Sequence, residues 1–321
     1  MNKKILIVGY GSIGKKHHLL IKDMFQEVTI KFFRHNISNK NNALDTDLYT
    51  MDEVEDFKPE ISFICNPASN HIEQAIKLGS IGSHLFIEKP LALNMNGITT
   101  LKKIIKNNKL IVQVGYNLRY LDSLIFLKKL IENEEYGRPL YFKSKVGQNL
   151  SSWRKNQNNT NSISLQKNLG GGLIYELSHE IDYLLWLFNS FNYKKVTKVQ
   201  TLFYASDVED TAFITLGNKK NDKFNIIGDL SLDFVRQDNV RECEVICESA
   251  TIKWLPLESR IIISDSKKKK VIDFKNDTIE STYPKQLYSF FNSIIKDKSP
   301  LYDLDEGIKT LKLIMELYDN Q

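Results

Sequence analysis

The sequence predicts an α/β protein, with a doubly wound parallel sheet in its N-terminal part and a C-terminal α+β domain built on an open, mostly antiparallel sheet. The chain has 321 residues, whereas one hydrophobic core usually serves no more than roughly 250–300. Its first third alternates nearly continuous apolar runs with helix-forming segments, and its later part contains runs in which polar and apolar residues alternate. We therefore expect two domains, residues 1–120 and 121–321, with the C-terminal helices able to pack back on the first.

Five strands are predicted in the first domain because each is a short run rich in Ile, Val and Phe, as in strands that are covered on both faces. They lie at residues 5–8, 28–33, 61–65, 85–87 and 110–114. Helices are predicted between them at residues 15–25, 71–78 and 96–106. Such alternation of strand and helix is typical of a doubly wound parallel sheet.

The second domain contains a polar loop at residues 156–168, which is followed by strands, several of which have one apolar and one polar face. These strands are predicted at residues 196–204, 211–217, 224–234, 241–248, 251–254 and 260–264. Two helices follow at residues 288–295 and 307–318. The four lysines at residues 267–270 indicate a solvated hairpin or strand end rather than a nucleic-acid patch.

Composition argues against several classes of protein. The net charge of +5 comes from 44 basic and 39 acidic residues spread along the chain, so no nucleic-acid partner is expected. No stretch approaches the roughly 18–20 apolar residues of a membrane span, and the apolar run after Lys4 is too short for a signal peptide. Cys65, Cys243 and Cys247 lack the partners of a disulfide framework or metal site. We expect a cytoplasmic protein with no membrane partner and no bound metal.

A glycine motif, G-x-G-x-x-G, directly follows the first predicted strand and precedes a helix. Gly9 permits the tight turn, Gly11 lets a pyrophosphate approach the backbone, and Gly14 lets the helix pack closely on the strand. Ser12 and Ile13 lie at the helix N-terminus, where free N–H groups and the helix dipole attract phosphate. The sequence therefore predicts a Rossmann dinucleotide-binding domain over residues 1–120.

The residues after the second strand favour NADP(H) over NAD(H). A carboxylate about 20 residues after the glycines would bind the ribose hydroxyls of NAD, but the strand runs into Arg34 and His35 with no acid. An arginine suits a 2′-phosphate through charge-assisted, often bidentate hydrogen bonds. The alternative, a solvated surface arginine, stays open.

Lys89 is a candidate proton-handling group, because Glu88-Lys89-Pro90 follows the fourth predicted strand. Ligands of open α/β sheets bind beyond the carboxyl ends of the strands. A lysine there can hydrogen-bond a substrate hydroxyl or carbonyl while hydride moves to or from nicotinamide. The sequence alone also permits a lysine with no chemical role.

A helix after Gly170-Gly171-Gly172 carries the second candidate, His179. Its predicted apolar stripe is formed by Leu177, Ile181, Leu184, Leu185 and Phe188. His179, Tyr183 and Trp186 fall on the opposite face, flanked by Glu176 and Asp182, which favours a pocket wall over a solvated face. Histidine is the natural proton acceptor near neutral pH.

Together these motifs resemble the glucose–fructose oxidoreductase/inositol dehydrogenase/rhizopine catabolism (Gfo/Idh/MocA) family. The shared motifs extend over nearly the whole chain. They are Gly9-Tyr10-Gly11-Ser12-Ile13-Gly14 with His17, Asn66-Pro67 with His71, Glu88-Lys89-Pro90, Val114-Gly115-Tyr116-Asn117-Leu118-Arg119-Tyr120, and the triple glycine with His179-Glu180-Ile181-Asp182.

The resemblance implies an NAD(P)-dependent oxidoreductase of a sugar, cyclitol or nucleotide-linked sugar. By this resemblance Lys89 assists proton transfer and His179 is the general acid/base. The cofactor-binding set would also include Asn66, Pro67, His71 and Glu88. The expected substrate residues are Tyr116, Arg119, Tyr120, Trp153, Arg154, Glu176, Asp182 and Tyr183.

Two departures from the family pattern matter. Many members have Asp four residues before the catalytic histidine, where this chain has Tyr175, so Glu176, three before His179, is expected to substitute on the same helix face. The cofactor-selecting carboxylate is also absent, which again favours NADP(H). The Glu-Leu-Ser-His-Glu-Ile-Asp version, with Trp153-Arg154 upstream, resembles a branch associated with bacterial surface-polysaccharide pathways.

Two other functions stay open: a cofactor-binding regulator or sensor without turnover, and a reductase of a non-sugar carbonyl or imine. The presence of both Lys89 and His179 favours an enzyme over a sensor. The family also implies that the outer face of the C-terminal sheet forms a homodimer or homotetramer. Residues 121–321 are thus expected to form a substrate-binding and oligomerisation domain.

Overall fold

The computed structural model describes residues 3–34, 46–149, 166–201, 208–218 and 225–319. The chain divides into two compact units. The first comprises Met1–Gly115 and Gln286–Leu311, and the second comprises Tyr116–Lys285 and Lys312–Gln321. The predicted α/β class is confirmed, because one unit contains a parallel sheet and the other a mostly antiparallel one.

The sheet of the first unit has six parallel strands in the order β3-β2-β1-β4-β5-β6. Their bounds are β1 Lys3–Val8, β2 Val28–Phe33, β3 Asp47–Leu48, β4 Ile61–Ile64, β5 His84–Ile87 and β6 Val112–Val114. Strands β1 and β4 pair with each other in the centre of the sheet, and the chain proceeds outward from them in opposite directions, through β2 and β3 on one side and β5 and β6 on the other. Ligands of such sheets bind at the carboxyl ends of the strands next to this switch point.

Helices follow the strands in the doubly wound pattern. They are α1 Ser12–Met24, α2 Met51–Phe57, α3 His71–Ser80 and α4 Ile98–Asn108. Residues 5–8 of β1 are fully buried, which explains why the strand is apolar at successive positions. Phe290, from the C-terminal segment of this unit, packs its ring edge-on against Phe63 and Phe86 of the sheet, at centroid distances of 5.9 and 5.5 Å.

The sheet of the second unit has eight strands in the order β14-β13-β12-β11-β7-β10-β9-β8. Their bounds are β7 Pro139–Gly147, β8 Tyr193–Val199, β9 Thr211–Gly217, β10 Ile227–Asp233, β11 Val240–Cys247, β12 Thr251–Leu255, β13 Arg260–Ser264 and β14 Lys269–Asp273. All neighbouring pairs are antiparallel except β7 with β10. The lysines at residues 269 and 270 are exposed on edge strand β14, in the predicted hairpin.

One face of this sheet packs on the helices of the second unit and the other is polar. Three helices lie in the second unit, namely α5 Asp122–Glu132, α6 Leu173–Glu176 and α7 Ser178–Phe188, whereas α8 Ile279–Lys296 and α9 Leu304–Asp319 each contribute residues to both units. On the polar face, Lys143 lies opposite Glu244 and Lys145 lies opposite Glu242. Opposite charges on facing residues of an antiparallel pair stabilise the pairing.

Three elements of the second unit were not predicted, namely β7, β14 and α5. Strand β7 occupies the centre of the sheet, yet Lys143 and Lys145 interrupt its apolar pattern. Within the described residues no helix is long and apolar enough to cross a membrane.

Candidate functional site

The glycine loop leads from β1 into α1 and has the geometry of a phosphate-binding turn. Gly9 has a φ of 89°, and a Cβ there would lie 3.0 Å from the backbone nitrogen of Asn66. A Cβ at Gly14 would overlap the carbonyl oxygen of Gly9, whereas a Cβ at Gly11 would meet nothing within 4 Å. Packing within the protein therefore requires glycine at positions 9 and 14, and the space at Gly11 lets a ligand approach the backbone.

The N-terminus of α1 is suited to an anion. Its N-cap is Gly11, its first turn carries no acid, and in the described part of the chain no side chain caps it. The N–H groups of Ser12, Ile13 and Gly14 have no acceptor within the helix. These donors, together with the positive end of the helix dipole, fit the pyrophosphate of a dinucleotide.

Arg34 follows β2, and its guanidinium is paired with a carboxylate. Its Nη1 donates to Oδ2 of Asp47 over 2.8 Å, and the Asp47 side chain is fully buried while 25% of the Arg34 side chain is exposed. The sequence pattern did not reveal this acid because it lies 13 residues further on and reaches Arg34 through the pairing of β2 with β3. His35 lies outside the described residues.

Asn66 and Pro67 follow β4 at the same edge of the sheet. The side-chain nitrogen and oxygen of Asn66 are both buried, and neither has a hydrogen-bond partner among the described residues. Buried amides are almost always hydrogen-bonded in native proteins. The Asn66 amide therefore fits a polar group of a ligand, such as the carboxamide of nicotinamide, and Pro67 lies half-buried beside it.

His71 was predicted to bind the cofactor, but the structure gives it a framework role. The residue is 1% exposed, its Nε2 lies 2.8 Å from the carbonyl oxygen of Asn66, and its Nδ1 lies 2.9 Å from that of Pro90. Burial lowers the pKa of the His71 imidazole, although the carbonyl acceptors and the Glu88 carboxylate favour its protonated form. Because both ring nitrogens contact backbone carbonyls, His71 braces the two segments, and its contact with a cofactor stays a prediction.

Lys89 follows β5 with a half-buried side chain, and Glu88 before it is only 7% exposed. Oε1 of Glu88 lies 2.6 Å from Nε2 of His17, and Oε2 accepts a hydrogen bond from the Lys89 backbone N–H over 3.2 Å. Both carboxylate oxygens of Glu88 are thus engaged within the unit, and the binding of Glu88 to a cofactor stays a prediction.

In the second unit, His179 lies in the first turn of α7 with a half-buried ring. The ring meets that of Tyr116 edge-on, with centroids 5.5 Å apart and planes at 89°. Tyr116 is 1% exposed. Burial raises the pKa of Tyr116 well above its usual value and the Asp182 carboxylate adds to the effect, so the hydroxyl stays neutral at physiological pH.

Arg119 and Asp182, both predicted substrate residues, form a buried bidentate ion pair. The Arg119 Nε–Oδ2 and Nη2–Oδ1 distances are 3.1 and 2.9 Å, and the two residues are 2% and 0% exposed. The guanidinium also lies 5.4 Å from the ring centroid of Trp186. Because each charge is used by the other, the pair ties α7 to the segment of Arg119. A contact of these two residues with substrate stays a prediction.

Tyr183 was predicted to face a pocket, but it belongs to the core of the second unit. It is fully buried, its hydroxyl lies 2.5 Å from that of Ser144, and its ring meets Trp254 edge-on at 5.2 Å. The face of α7 opposite the apolar stripe packs on the sheet, where Ser144 of β7 supplies the polar partner that the phenol needs. His179 and Trp186 are half-buried.

Glu176 was predicted to lie one turn before His179 on a single helix, but the helix is interrupted between them. Helix α6 ends at Glu176, Leu177 has φ −96° and ψ 22°, and α7 begins at Ser178. The neighbour rule for residues three apart on a helix therefore does not place Glu176 beside His179.

Tyr175, at the position where many relatives have Asp, stacks its ring on Tyr318 at a centroid distance of 5.0 Å. The Tyr318 hydroxyl donates to Glu209 over 2.5 Å, and the backbone N–H of Ile174 donates to the same carboxylate over 3.3 Å. No sequence motif indicated Glu209, because the fold alone brings these segments together.

Tyr120, the remaining described substrate candidate, is buried and 7% exposed. Trp153 and Arg154 lie outside the described residues. Within the described ranges, no group of three or more His, Cys, Asp or Glu side chains is placed to hold a metal ion.

The structure thus brings together two sets of predicted residues. In the first unit, the glycine loop, Arg34, Asn66 and Lys89 follow neighbouring strands at the carboxyl edge of the parallel sheet. In the second unit, His179 lies beside Tyr116, and Asp182 on the same helix is paired with Arg119. Both sets are suited to hydride and proton transfer at an oxygen-bearing carbon.

Comparison with known proteins gives two family models that match this chain. The model described as "Oxidoreductase family, NAD-binding Rossmann fold" matches residues 3–116. The model described as "GFO/IDH/MocA C-terminal domain" matches residues 125–253. Each model falls mainly within one of the two units.

Curated relatives and solved structures agree with these matches. Inositol 2-dehydrogenase/D-chiro-inositol 3-dehydrogenase of Lactiplantibacillus plantarum is 25% identical over 328 residues, which cover 93% of this chain and 85% of that protein. Glucose-6-phosphate 3-dehydrogenase of Bacillus subtilis is 27% identical over 195 residues, covering 59% of this chain and only 54% of that enzyme.

Levoglucosan dehydrogenase, solved in complex with NADH and levoglucosan, has the same fold. It superimposes with a TM-score of 0.85 at 18% identity over 100% of this chain and 97% of that one. With motifs, fold and both family models in agreement, the chain belongs to the Gfo/Idh/MocA family of oxidoreductases, and its first domain is an NAD-binding Rossmann domain.

Proposed function

We propose that this protein is an NAD(P)-dependent dehydrogenase or reductase that transfers hydride between nicotinamide and a carbinol or carbonyl carbon. Its substrate would be a sugar, a cyclitol or a nucleotide-linked sugar, in line with the substrates that name its relatives. The observation that carries the proposal is the edge of the parallel sheet, where Lys89 shares the strand ends with the glycine loop and the unsatisfied amide of Asn66.

Different residues of this chain would bind the cofactor and transfer the substrate proton. The N-terminus of α1 and Gly11 hold the pyrophosphate, and Asn66 hydrogen-bonds the carboxamide. The bound nicotinamide would supply the hydride acceptor or donor. In oxidation, His179 takes the hydroxyl proton while the Lys89 ammonium hydrogen-bonds the developing oxyanion; in reduction, His179 returns the proton.

The activity is tested by titrating the purified protein with NADH and NADPH, followed through nicotinamide fluorescence. Oxidation of myo-inositol, glucose 6-phosphate, levoglucosan and UDP-N-acetylglucosamine is then followed through nicotinamide absorbance. We expect cofactor binding and turnover of at least one of these compounds. Failure to bind either cofactor would contradict the proposal, and tight binding without turnover would favour a regulator or sensor.

We further propose that the cofactor is NADP(H) in preference to NAD(H), with Arg34 as the group that meets the 2′-phosphate. Asp47 limits this preference, because its carboxylate occupies Nη1 of Arg34 and offsets its charge. Two donors of a guanidinium can nevertheless bind a phosphate while a third donates to a carboxylate.

Replacing Asp47 tests this assignment. We expect Asp47→Asn to strengthen binding of NADPH relative to NADH by about fivefold, because a partly exposed ion pair of this kind is worth about 1 kcal/mol. The ratio of the two dissociation constants, measured by fluorescence titration, checks it. Glu55→Gln, which removes an exposed acid of α2, should leave the ratio unchanged. An unchanged or lower NADPH preference in Asp47→Asn would argue against Arg34 as the phosphate ligand.

The polar face of the second sheet is proposed to form the interface of a homodimer or homotetramer. Two apolar side chains, Phe213 and Ile227, are 58% and 48% exposed there, beside the paired charges of β7 and β11. We expect light scattering to give the mass of a dimer or tetramer, and Phe213→Asp to lower it. A monomeric mass would contradict the proposal.

The cytoplasm is the proposed location, where the free thiols of the described cysteines stay reduced.

A further inference from the structure

A buried polar contact links helix α1 to the segment that carries Lys89. His17 is fully buried, and its ring packs against those of Phe63 and Phe86 at centroid distances of 5.3 and 5.0 Å. Its Nε2 lies 2.6 Å from Oε1 of Glu88. In such apolar surroundings a hydrogen bond of this kind is strong and expensive to break. The contact therefore fixes where the Glu88 carboxylate lies.

The second oxygen of Glu88 is held with little freedom as well. It accepts the backbone N–H of Lys89 over 3.2 Å. On its other side lies Gly115, where a Cβ would come within 3.0 Å of Oε2 and 3.2 Å of the Glu88 Cα. The backbone at Gly115 thus closes the space behind the carboxylate, and the position of Glu88 determines that of the Lys89 backbone.

This arrangement places the Glu88 carboxylate in a largely buried position. The Glu88 carboxylate also acts on two further titratable groups. Together with burial it raises the pKa of Cys65, and it favours the protonated form of His71, which braces Asn66 and Pro90. Removing one partner of a buried polar pair is costly, while the pair itself often contributes little net stability. A role in fixing geometry explains the pair better than a role in stability.

We propose that His17 and Glu88 are positioning residues for Lys89. His17 fixes the Glu88 carboxylate, and this carboxylate fixes the Lys89 backbone by accepting its N–H. The Lys89 amine is thereby placed at the carboxyl edge of the sheet. The inference rests on the proposed function for the role of Lys89. His17 lies three residues after Gly14 on the helix that receives the cofactor phosphates. The same helix therefore sets both the cofactor position and the lysine position.

The experiment measures how NADH protects Lys89 from acetic anhydride, with modification of each lysine followed by mass spectrometry and expressed relative to exposed Lys77 on α3. NADH is supplied at about ten times the dissociation constant of each variant, so that changes in affinity are removed from the comparison. About a tenth of the protein is then free, and acetylation of a lysine that the cofactor covers slows about tenfold.

The variants are His17→Phe, which keeps the ring packing but has no nitrogen, and His17→Gln, which keeps a donor for Glu88. His18→Phe and His18→Gln are the matched controls, because His18 is the next residue of α1 and contacts Tyr10 and Phe32 instead. We expect protection of about tenfold in the wild type and both controls. In His17→Phe it should fall below about twofold, and His17→Gln should recover most of it.

The outcomes separate this inference from the proposed function. No protection of Lys89 in the wild type would contradict the placement of Lys89 at the nicotinamide, and with it both claims. Full protection in His17→Phe, or equal loss in His17→Gln, would overturn the positioning role alone. If His17→Phe fails to fold by circular dichroism, Gly115→Ala decides, because its methyl group presses on the Glu88 carboxylate from the other side. It should also abolish protection, and full protection there would overturn the inference.

Discussion

Lys89→Met is expected to lower kcat by about 10²–10⁴-fold, the range that general acid–base and oxyanion assistance usually supplies. Methionine keeps the length and apolar stem of lysine but has no amine to hydrogen-bond the reacting oxygen. The dissociation constant of the cofactor should stay within about twofold, because the glycine loop and Asn66 are unchanged. The measurement is kcat at saturating cofactor with the most active compound of the substrate screen, beside a fluorescence titration.

The matched control is Lys103→Met, which removes an exposed lysine of α4 in the same unit. It should leave both constants unchanged. Lys89→Arg keeps the charge but replaces a compact ammonium with a planar guanidinium, and it should recover only part of the activity. A Lys89→Met enzyme with wild-type kcat would reject the catalytic assignment, whereas a parallel loss of cofactor binding would indicate a binding role.

The first unit could be predicted from the sequence because its signals are local. The three glycines, the apolar runs and the residues after each strand lie within short windows, and a parallel sheet places strand ends together without further information. What could not be predicted depends on pairing over distance. Asp47 reaches Arg34 only because β3 pairs with β2, and His17 reaches Glu88 across 71 positions.

In the second unit the misplacement of Tyr183 has one physical cause, the unrecognised strand β7. Its exposed lysines hide the pattern, because their polar face pairs with glutamates of β11. Without β7, the face of α7 that carries Tyr183 has no visible partner and resembles a pocket wall. Because Ser144 of β7 hydrogen-bonds the Tyr183 hydroxyl, the same tyrosine is a core residue. A periodicity argument identifies helix faces, but the neighbours decide which face is buried.

The helix break at Leu177 is a second feature that sequence periodicity did not predict. Spacing along the chain placed Glu176 and His179 on one helix face, but the backbone leaves helical geometry between them. The position of His179 is set in part by α7 and by the ring of Tyr116. The buried pair of Arg119 and Asp182 fixes α7 one turn beyond His179 and so supports this placement.

His179→Asn is expected to lower kcat by about 10²–10⁴-fold, since asparagine cannot exchange a proton with the substrate oxygen. It keeps a polar group of similar reach beside the ring of Tyr116, so the local packing should persist. We expect the cofactor dissociation constant to be unchanged, because His179 belongs to the second unit and the cofactor residues to the first. Steady-state kinetics and fluorescence titration of the same preparation check both expectations.

Added imidazole distinguishes a lost proton acceptor from a damaged structure. If His179 exchanges the substrate proton, free imidazole should raise the residual rate of His179→Asn in a saturable way and leave that of Lys89→Met unaffected, because the two variants lack different groups. His18→Asn, a histidine change on α1 in the first unit, should keep wild-type kinetics. Wild-type kcat in His179→Asn would remove this histidine from the mechanism, and rescue of Lys89→Met by imidazole would show that the lysine, not the histidine, transfers the proton.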